Sequence, residues 1–254
     1  VYKRQGMFCS HTRCHGESQR EPWFYGQQAL DIFRRYARLR YQLFPYLYTC
    51  AYEASQSGLP VIRAMALSYP QDPSAYDQDL QYMLGPWLLV APIFNEHDHR
   101  SVYLPDGKWV DYWTGEVHAG PRHIDVAVPL DRLPLYVRSG AVIPMMQLAN
   151  RIPHDCIDPM ILDIYPASKF VYSFQEDEGV TRVEGVMRQA GLKMAWEGPV
   201  ARSFILQWHL DWEPSRVSFA TAYGEEELPW GVGENGVIRV LIPACSAASL
   251  QLER

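Results

Sequence analysis

Arg13 and His15 stand two residues apart in the segment Ser10-His11-Thr12-Arg13-Cys14-His15-Gly16-Glu17. On an extended backbone that spacing sends both side chains the same way. A histidine can donate to a sugar hydroxyl, and an arginine holds a carboxylate or hydroxyl in a fixed fork. Gly16 lets the backbone turn sharply behind them. A solvated surface loop with two ordinary histidines is the other reading of the same residues, and spacing alone does not decide between them.

The surrounding pattern must position this loop. Residues 5–10 are short and mostly apolar and read as a buried strand. Residues 27–56 read as a long helix, with Leu30, Phe33, Ala37, Tyr41, Phe44, Tyr48 and Ala51 recurring in steps of three and four. Pro45 removes one helical hydrogen bond and predicts a kink or split, and Gly58-Leu59-Pro60 ends the helix. A strand at 87–94 follows, then a hairpin of 100–104 and 108–113 around Pro105-Asp106-Gly107, a turn at Thr114-Gly115, and strands near 124–129 and 134–143. Further strands are expected at 160–165, 169–175, 180–187, 202–209, 215–220 and 236–242. Turn signals at this spacing mark β-sandwiches. A lone βα unit is not a domain, because a parallel strand needs neighbours on both sides. The N-terminal segment is therefore expected to be the end of something larger, and the chain does not begin with Met.

Composition narrows the function classes. The 254 residues, 48% of them hydrophobic, suffice for about two domains. Net charge is −6 and no basic run exceeds Arg34-Arg35, which argues against nucleic acid. No apolar stretch approaches the roughly 18 residues that span a bilayer. Cys9, Cys14, Cys50, Cys156 and Cys245 are scattered and odd in number, so neither a zinc site nor a disulfide framework is expected. Free thiols point to a reducing, cytoplasmic setting. No cofactor is expected.

Three ordered blocks resemble glycoside hydrolase family 31. The first is Ser10 to Gly16 with Arg20-Glu21-Pro22-Trp23. The second is Arg34 to Tyr48. The third runs from Asp79 to Ile143 and includes Gly107-Lys108-Trp109-Val110-Asp111-Tyr112-Trp113 and Leu133-Pro134-Leu135-Tyr136-Val137-Arg138-Ser139-Gly140. A weaker likeness covers Phe174 to Gly179, where Gln175 occupies a commonly aromatic position. The resemblance implies a mixed but mostly β chain: the last βα unit of a (β/α)8 barrel at 1–75, a proximal β-domain at 76–150 and a distal β-sandwich at 151–254. It implies that His15 and Arg13 line the subsite for the sugar whose bond is broken. Its partners would be an α-linked oligosaccharide or glycoside, and a barrel portion supplied in cis or in trans. Arg13-Cys14-His15-Gly16 resembles the α-xylosidase form more than the α-glucosidase form.

Retaining glycosidases need two carboxyl groups about 5–5.5 Å apart, flanking the scissile bond. The acids before residue 60 are Glu17, Glu21, Asp31 and Glu53. The first two share one loop and the last two fall in the helix, so no catalytic residue is expected in this chain. Glu176-Asp177-Glu178 reads as a solvated turn, with a calcium site as the alternative. Trp109 and Trp113 would share one strand face and pack in a core. Two other functions remain open: a non-catalytic carbohydrate-binding or structural β-sandwich, and a subunit that complements a separate barrel chain.

Overall fold

The computed structural model describes residues 6–9, 11–12, 16–17, 19–94, 99–153 and 156–254. The chain is mostly β and divides into two compact units, one formed by residues 1–41 and 53–138, the other by 42–52 and 139–254.

The expected long helix splits into α1 (Gln27–Gln42) and α2 (Phe44–Ser57). Pro45 lies in the first turn of α2, where a missing N–H costs nothing. Gly58 ends α2 in the left-handed region, at φ 76°, and its N–H bonds the Ala54 carbonyl at 2.9 Å. The buried stripe is Tyr36, Leu39, Leu43, Tyr46 and Cys50, whereas Tyr41 and Tyr48 stand exposed. Both helices are apolar on more than one face, and tertiary packing selects the face.

The expected strand at 5–10 is not formed over its described residues. Gly6–Cys9 turn instead, with the Cys9 N–H on the Gly6 carbonyl at 3.2 Å. Among the described residues no strand pairs with them, and a parallel strand has no other way to satisfy its backbone.

The first unit also holds the short helix α3 (Met65–Ser68) and the strands β1 (Ile62–Ala64), β2 (Tyr82–Leu84), β3 (Leu88–Val90), β4 (His99–Asp111), β5 (Val117–Ala127) and β6 (Leu135–Arg138). They form one antiparallel sheet in the order β1-β2-β3-β6-β4-β5. Met65, Met83, Leu89, Val102, Leu104 and Trp109 make its buried cluster.

Pro105-Asp106-Gly107 is not a hairpin turn. It is a bulge inside β4, where the register with β5 shifts between Leu104 and Gly107. The bulge brings the Pro105 carbonyl within 1.9 Å of where a Cβ on Gly120 would sit, so only glycine fits opposite. The Trp109 indole N–H donates to that same carbonyl at 2.8 Å. Trp109 is a core residue, as its strand position implies. Trp113 lies past the end of β4, against Tyr36 and under the Arg35 guanidinium at 4.5 Å.

The second unit holds β7 (Val142–Met146), β8 (Met160–Ile164), β9 (Lys169–Glu176), β10 (Gly179–Arg188), β11 (Gly191–Trp208), β12 (Arg216–Thr221), β13 (Gly224–Glu227), β14 (Trp230–Val232) and β15 (Ile238–Glu253). β11 and β15 run much further than expected, because Gly198-Pro199 and Pro243 mark bends rather than ends. Residues 191–197 of β11 pair with 247–253 of β15, and 204–208 pair with 238–242. The ladder of 191–197 with 247–253 joins β9, β10, β12 and β13, and the ladder of 204–208 with 238–242 joins β7, β8 and β14. Two strands that change sheet at a bulge thus make a sandwich from a single ladder. Phe170 from the first layer meets Trp208 from the second, ring centroids 6.2 Å apart.

At the bend Arg202 is buried to 1% exposure and pairs with Glu176, whose side chain is 9% exposed. Arg202 also donates to the Ile157 carbonyl at 3.1 Å, and the Thr181 hydroxyl donates to Glu176 at 2.5 Å. The 176–178 turn is therefore not simply solvated: Glu176 serves the core, and Asp177 accepts from the Tyr48 hydroxyl at 2.7 Å. Burial, outweighing Thr181 and Arg202, holds the Glu176 carboxyl above the usual carboxylate range.

Arg202→Met, which strands that carboxylate, is expected to cost about 3–5 kcal/mol in urea unfolding, and adding Glu176→Gln should return a large part of it. Because the folded pKa of Glu176 lies above the unfolded one, its contribution is full below the unfolded value. It is lost as pH rises through the folded value. Wild type should therefore lose stability across that window, and Glu176→Gln should lose less.

Candidate functional site

Arg13 and His15, with Cys14 between them, lie outside the described residues; the structure describes the frame on either side. On the incoming side the backbone is gripped by side chains. One guanidinium nitrogen of Arg40, from α1, donates to the carbonyls of Met7 at 2.8 Å and Cys9 at 2.6 Å. The Tyr82 hydroxyl, from β2, reaches the Phe8 carbonyl at 3.5 Å. Phe8 itself is 1% exposed and meets Tyr36 edge-on, with centroids 6.0 Å apart. The turn at 6–9 is thus fixed by a helix and a sheet together.

Burial shapes the chemistry of these anchors. It raises the Cys9 thiol above its ordinary range, against the pull of Arg40 and a hydrogen bond with Tyr82. It raises the Tyr82 phenol well above its own. Cys9 is thus a protonated thiol at neutral pH rather than a nucleophile.

On the outgoing side Gly16 holds φ 137°, and the Arg20 guanidinium lies so near that a Cβ there would sit 2.3 Å from its Nε. The positive φ favours glycine here, whereas the arginine end could swing aside. The chain then passes through a 3-10 turn at Pro22–Tyr25, where Glu21 occupies the position before the first turned residue and accepts from the Arg20 N–H at 3.0 Å. The Tyr25 hydroxyl donates to the Gln19 carbonyl at 3.1 Å. Trp23, Phe24 and Tyr25 stand 60%, 52% and 61% exposed beside this loop. Three consecutive rings are thus exposed on one turn. Sequence reasoning used only Trp23, as part of a motif, although an aromatic run inside a polar loop was the available signal.

The acids are distributed as their positions imply. Glu17 is exposed. Asp31 accepts from Gln27 at 2.8 Å on the surface of α1, and Glu53 pairs with Arg63 at 3.2 Å. Elsewhere Asp163 is buried, hydrogen-bonded to His209 at 2.8 Å and Tyr165 at 3.0 Å. Among the described residues no three His, Cys, Asp or Glu side chains converge as a metal cradle, and no helix is long and apolar enough to cross a membrane.

Comparison with known proteins identifies the family. Residues 2–50 match the model for the glycosyl hydrolases family 31 TIM-barrel domain, and residues 58–143 match that for the glycosyl hydrolase family 31 C-terminal domain, together more than half the chain. An α-xylosidase of Saccharolobus solfataricus is 36% identical over 177 residues, covering 68% of this chain and 24% of the relative. α-Glucosidase 2 of Bacillus thermoamyloliquefaciens is 35% identical, covering 69% and 23%. The solved structure of a Flavobacterium johnsoniae family 31 dextranase complexed with glucose superimposes with a TM-score of 0.91 at 29% identity, covering all of this chain and 36% of its own. The chain spans about a quarter of the length of these curated relatives. It belongs to glycosyl hydrolase family 31, and its mostly β chain matches the end of the family's barrel domain, without a strand at 6–9, followed by the family's C-terminal domain.

Arg40→Met keeps the length of the side chain and removes the donors that hold the loop. Hydrogen bonds from charged groups contribute about 1.5–3 kcal/mol each. Amide hydrogen exchange across residues 6–20 is expected to accelerate markedly, with a far smaller change over β11. Equal exchange in both proteins would show that Arg40 does not position the loop.

Proposed function

We propose that this chain is the C-terminal portion of a retaining α-glycosidase that removes terminal α-linked xylose or glucose from oligosaccharides. In this reading Arg13 and His15 line the subsite of the sugar whose bond is broken. His15 donates to its hydroxyls, and Arg13 lies near the catalytic carboxylates and favours their charged form. Those carboxylates belong to earlier barrel strands and are not among these 254 residues. The domains would be the barrel end at 1–75, a proximal β-domain at 76–150 and a distal β-sandwich at 151–254. Cys156 and Cys245 are free thiols, and the five cysteines are scattered and odd in number, which supports a cytoplasmic setting.

The observation that carries the reading is the barrel-domain match over residues 2–50, which spans both Arg13 and His15. The form Arg13-Cys14-His15-Gly16 favours α-xylosidase over α-glucosidase. A non-catalytic module or a complementing subunit is the competing reading, and the two differ in what a barrel half would restore.

Alone, the chain is expected to release no aglycone from aryl α-xyloside or aryl α-glucoside above the buffer rate. Joined to a barrel half that carries both catalytic carboxylates, it should turn over, and His15→Ala should then lower kcat/KM by about a hundredfold. Turnover by the chain alone that disappears in Glu17→Gln would overturn the proposal.

A further inference from the structure

The outer face of the β9–β13 layer in the second unit has an ordered pattern that the glycosidase reading does not use. Reading across the ladder, Glu184 of β10 aligns with Ala195 of β11, Ser249 of β15, Ala220 of β12 and Glu225 of β13. The row continues to Val171 of β9, so two carboxylates flank three small residues, with Val171 beyond Glu184. The next row runs Lys169, Val186, Lys193, Gln251, Ser218 and Glu227. Adjacent strands are about 4.8 Å apart, so the two carboxylates of the first row are held about 19 Å apart across four spacings. That separation rules out a shared metal ion.

The face is recessed rather than flat. Ser218 points outward by its register yet is only 7% exposed, and a groove of about 520 Å³ lies over these residues. That volume is in the range of small-molecule sites, about 300–1,000 Å³. Charge over the groove is balanced: Lys169 and Lys193 against Glu184 and Glu225. A phosphorylated or acidic ligand would meet the carboxylates, and a cationic one the lysines. A neutral polyol suits every group, because carboxylates accept from hydroxyls while ammonium and amide groups donate to them. The Ala-Ser-Ala floor leaves width for a sugar ring and an apolar surface for its C–H face.

We propose that this groove is a second, non-catalytic binding site for a neutral α-linked oligosaccharide. Its preference for a neutral polyol follows from the groove; the α-linked class rests on the function proposed above. Such a site would retain a polymeric or oligomeric glycan on the protein without taking part in its cleavage.

Calorimetric titration of the whole chain with maltotriose and isomaltotriose, and separately with inorganic phosphate, tests this. At least one neutral trisaccharide is expected to bind and phosphate is not. Ala195→Trp and Ser249→Trp fill the floor from two different strands. Each should weaken trisaccharide binding at least about tenfold, with thermal unfolding recorded to show that each variant is folded. The titration reads binding and not turnover, so its failure is distinct from failure of the proposed activity, which aglycone release by the completed barrel reads. No binding by either trisaccharide, affinity equal to wild type in both folded tryptophan variants, or preference for phosphate would each overturn the proposal.

Discussion

Arg202 is a permanent charge with a side chain 1% exposed, and the second unit is arranged around it. An unpaired charge at that depth would cost several kcal/mol, so its partners must arrive from wherever the chain can deliver them. Glu176 comes from the end of β9, the Ile157 carbonyl from the segment before β8, and Thr181 steadies Glu176 from β10. Gly198 is part of the same arrangement, because the Thr181 hydroxyl lies 2.3 Å from where its Cβ would be. The neighbours of Glu176 in the same turn reach α2: the Gln175 N–H donates to the Thr49 hydroxyl at 3.0 Å, and Asp177 accepts from Tyr48. One buried cation thus ties the bend of the longest strand to a hairpin, a loop and a helix.

The position of that cation explains the architecture. The ladder between β11 and β15 is irregular on both sides of Arg202, between Glu197 and Arg202 and again between Arg202 and Phe204. A bulge leaves backbone groups unpaired and turns the strand. Here the turn sends each long strand from one layer into the other, so a sandwich forms without separate strands for each sheet. The aromatic contacts between Trp196 and Phe204, 5.7 Å apart, fill the inside of the corner. The ion pair satisfies the polar interior of the bend while the rings supply its apolar packing.

How much of this was legible in the sequence depends on whether a signal was local. The split helix, the glycine cap at Gly58, and the strands near 160–165, 169–175, 180–187 and 215–220 were readable, because Pro, Gly and alternation act within a few residues. One signal misled and others were absent. Pro105-Asp106-Gly107 is turn chemistry and reads as a hairpin, yet it sits in a bulge of a continuing strand, because ladder partners on the far side re-engage the chain. The choice of buried face on α1 and α2, and the recruitment of Glu176 by Arg202 across 26 positions of sequence, depend on tertiary contacts that no local window contains. For the loop of Arg13 and His15, residue types and spacing were visible but its anchoring was not, since Arg40 and Tyr82 lie far along the chain.

That anchoring has a consequence for how the loop can vary. Arg40 and Tyr82 bind the backbone carbonyls of Met7, Phe8 and Cys9, groups that every residue type presents. Gly16 closes the other side through its conformation and its contact with Arg20. Both devices act on the main chain of the flanking residues, and main-chain anchoring is indifferent to side-chain type. The curated relatives include both an α-xylosidase and an α-glucosidase at similar identity to this chain, 36% and 35%. A frame that acts on main-chain groups is compatible with both.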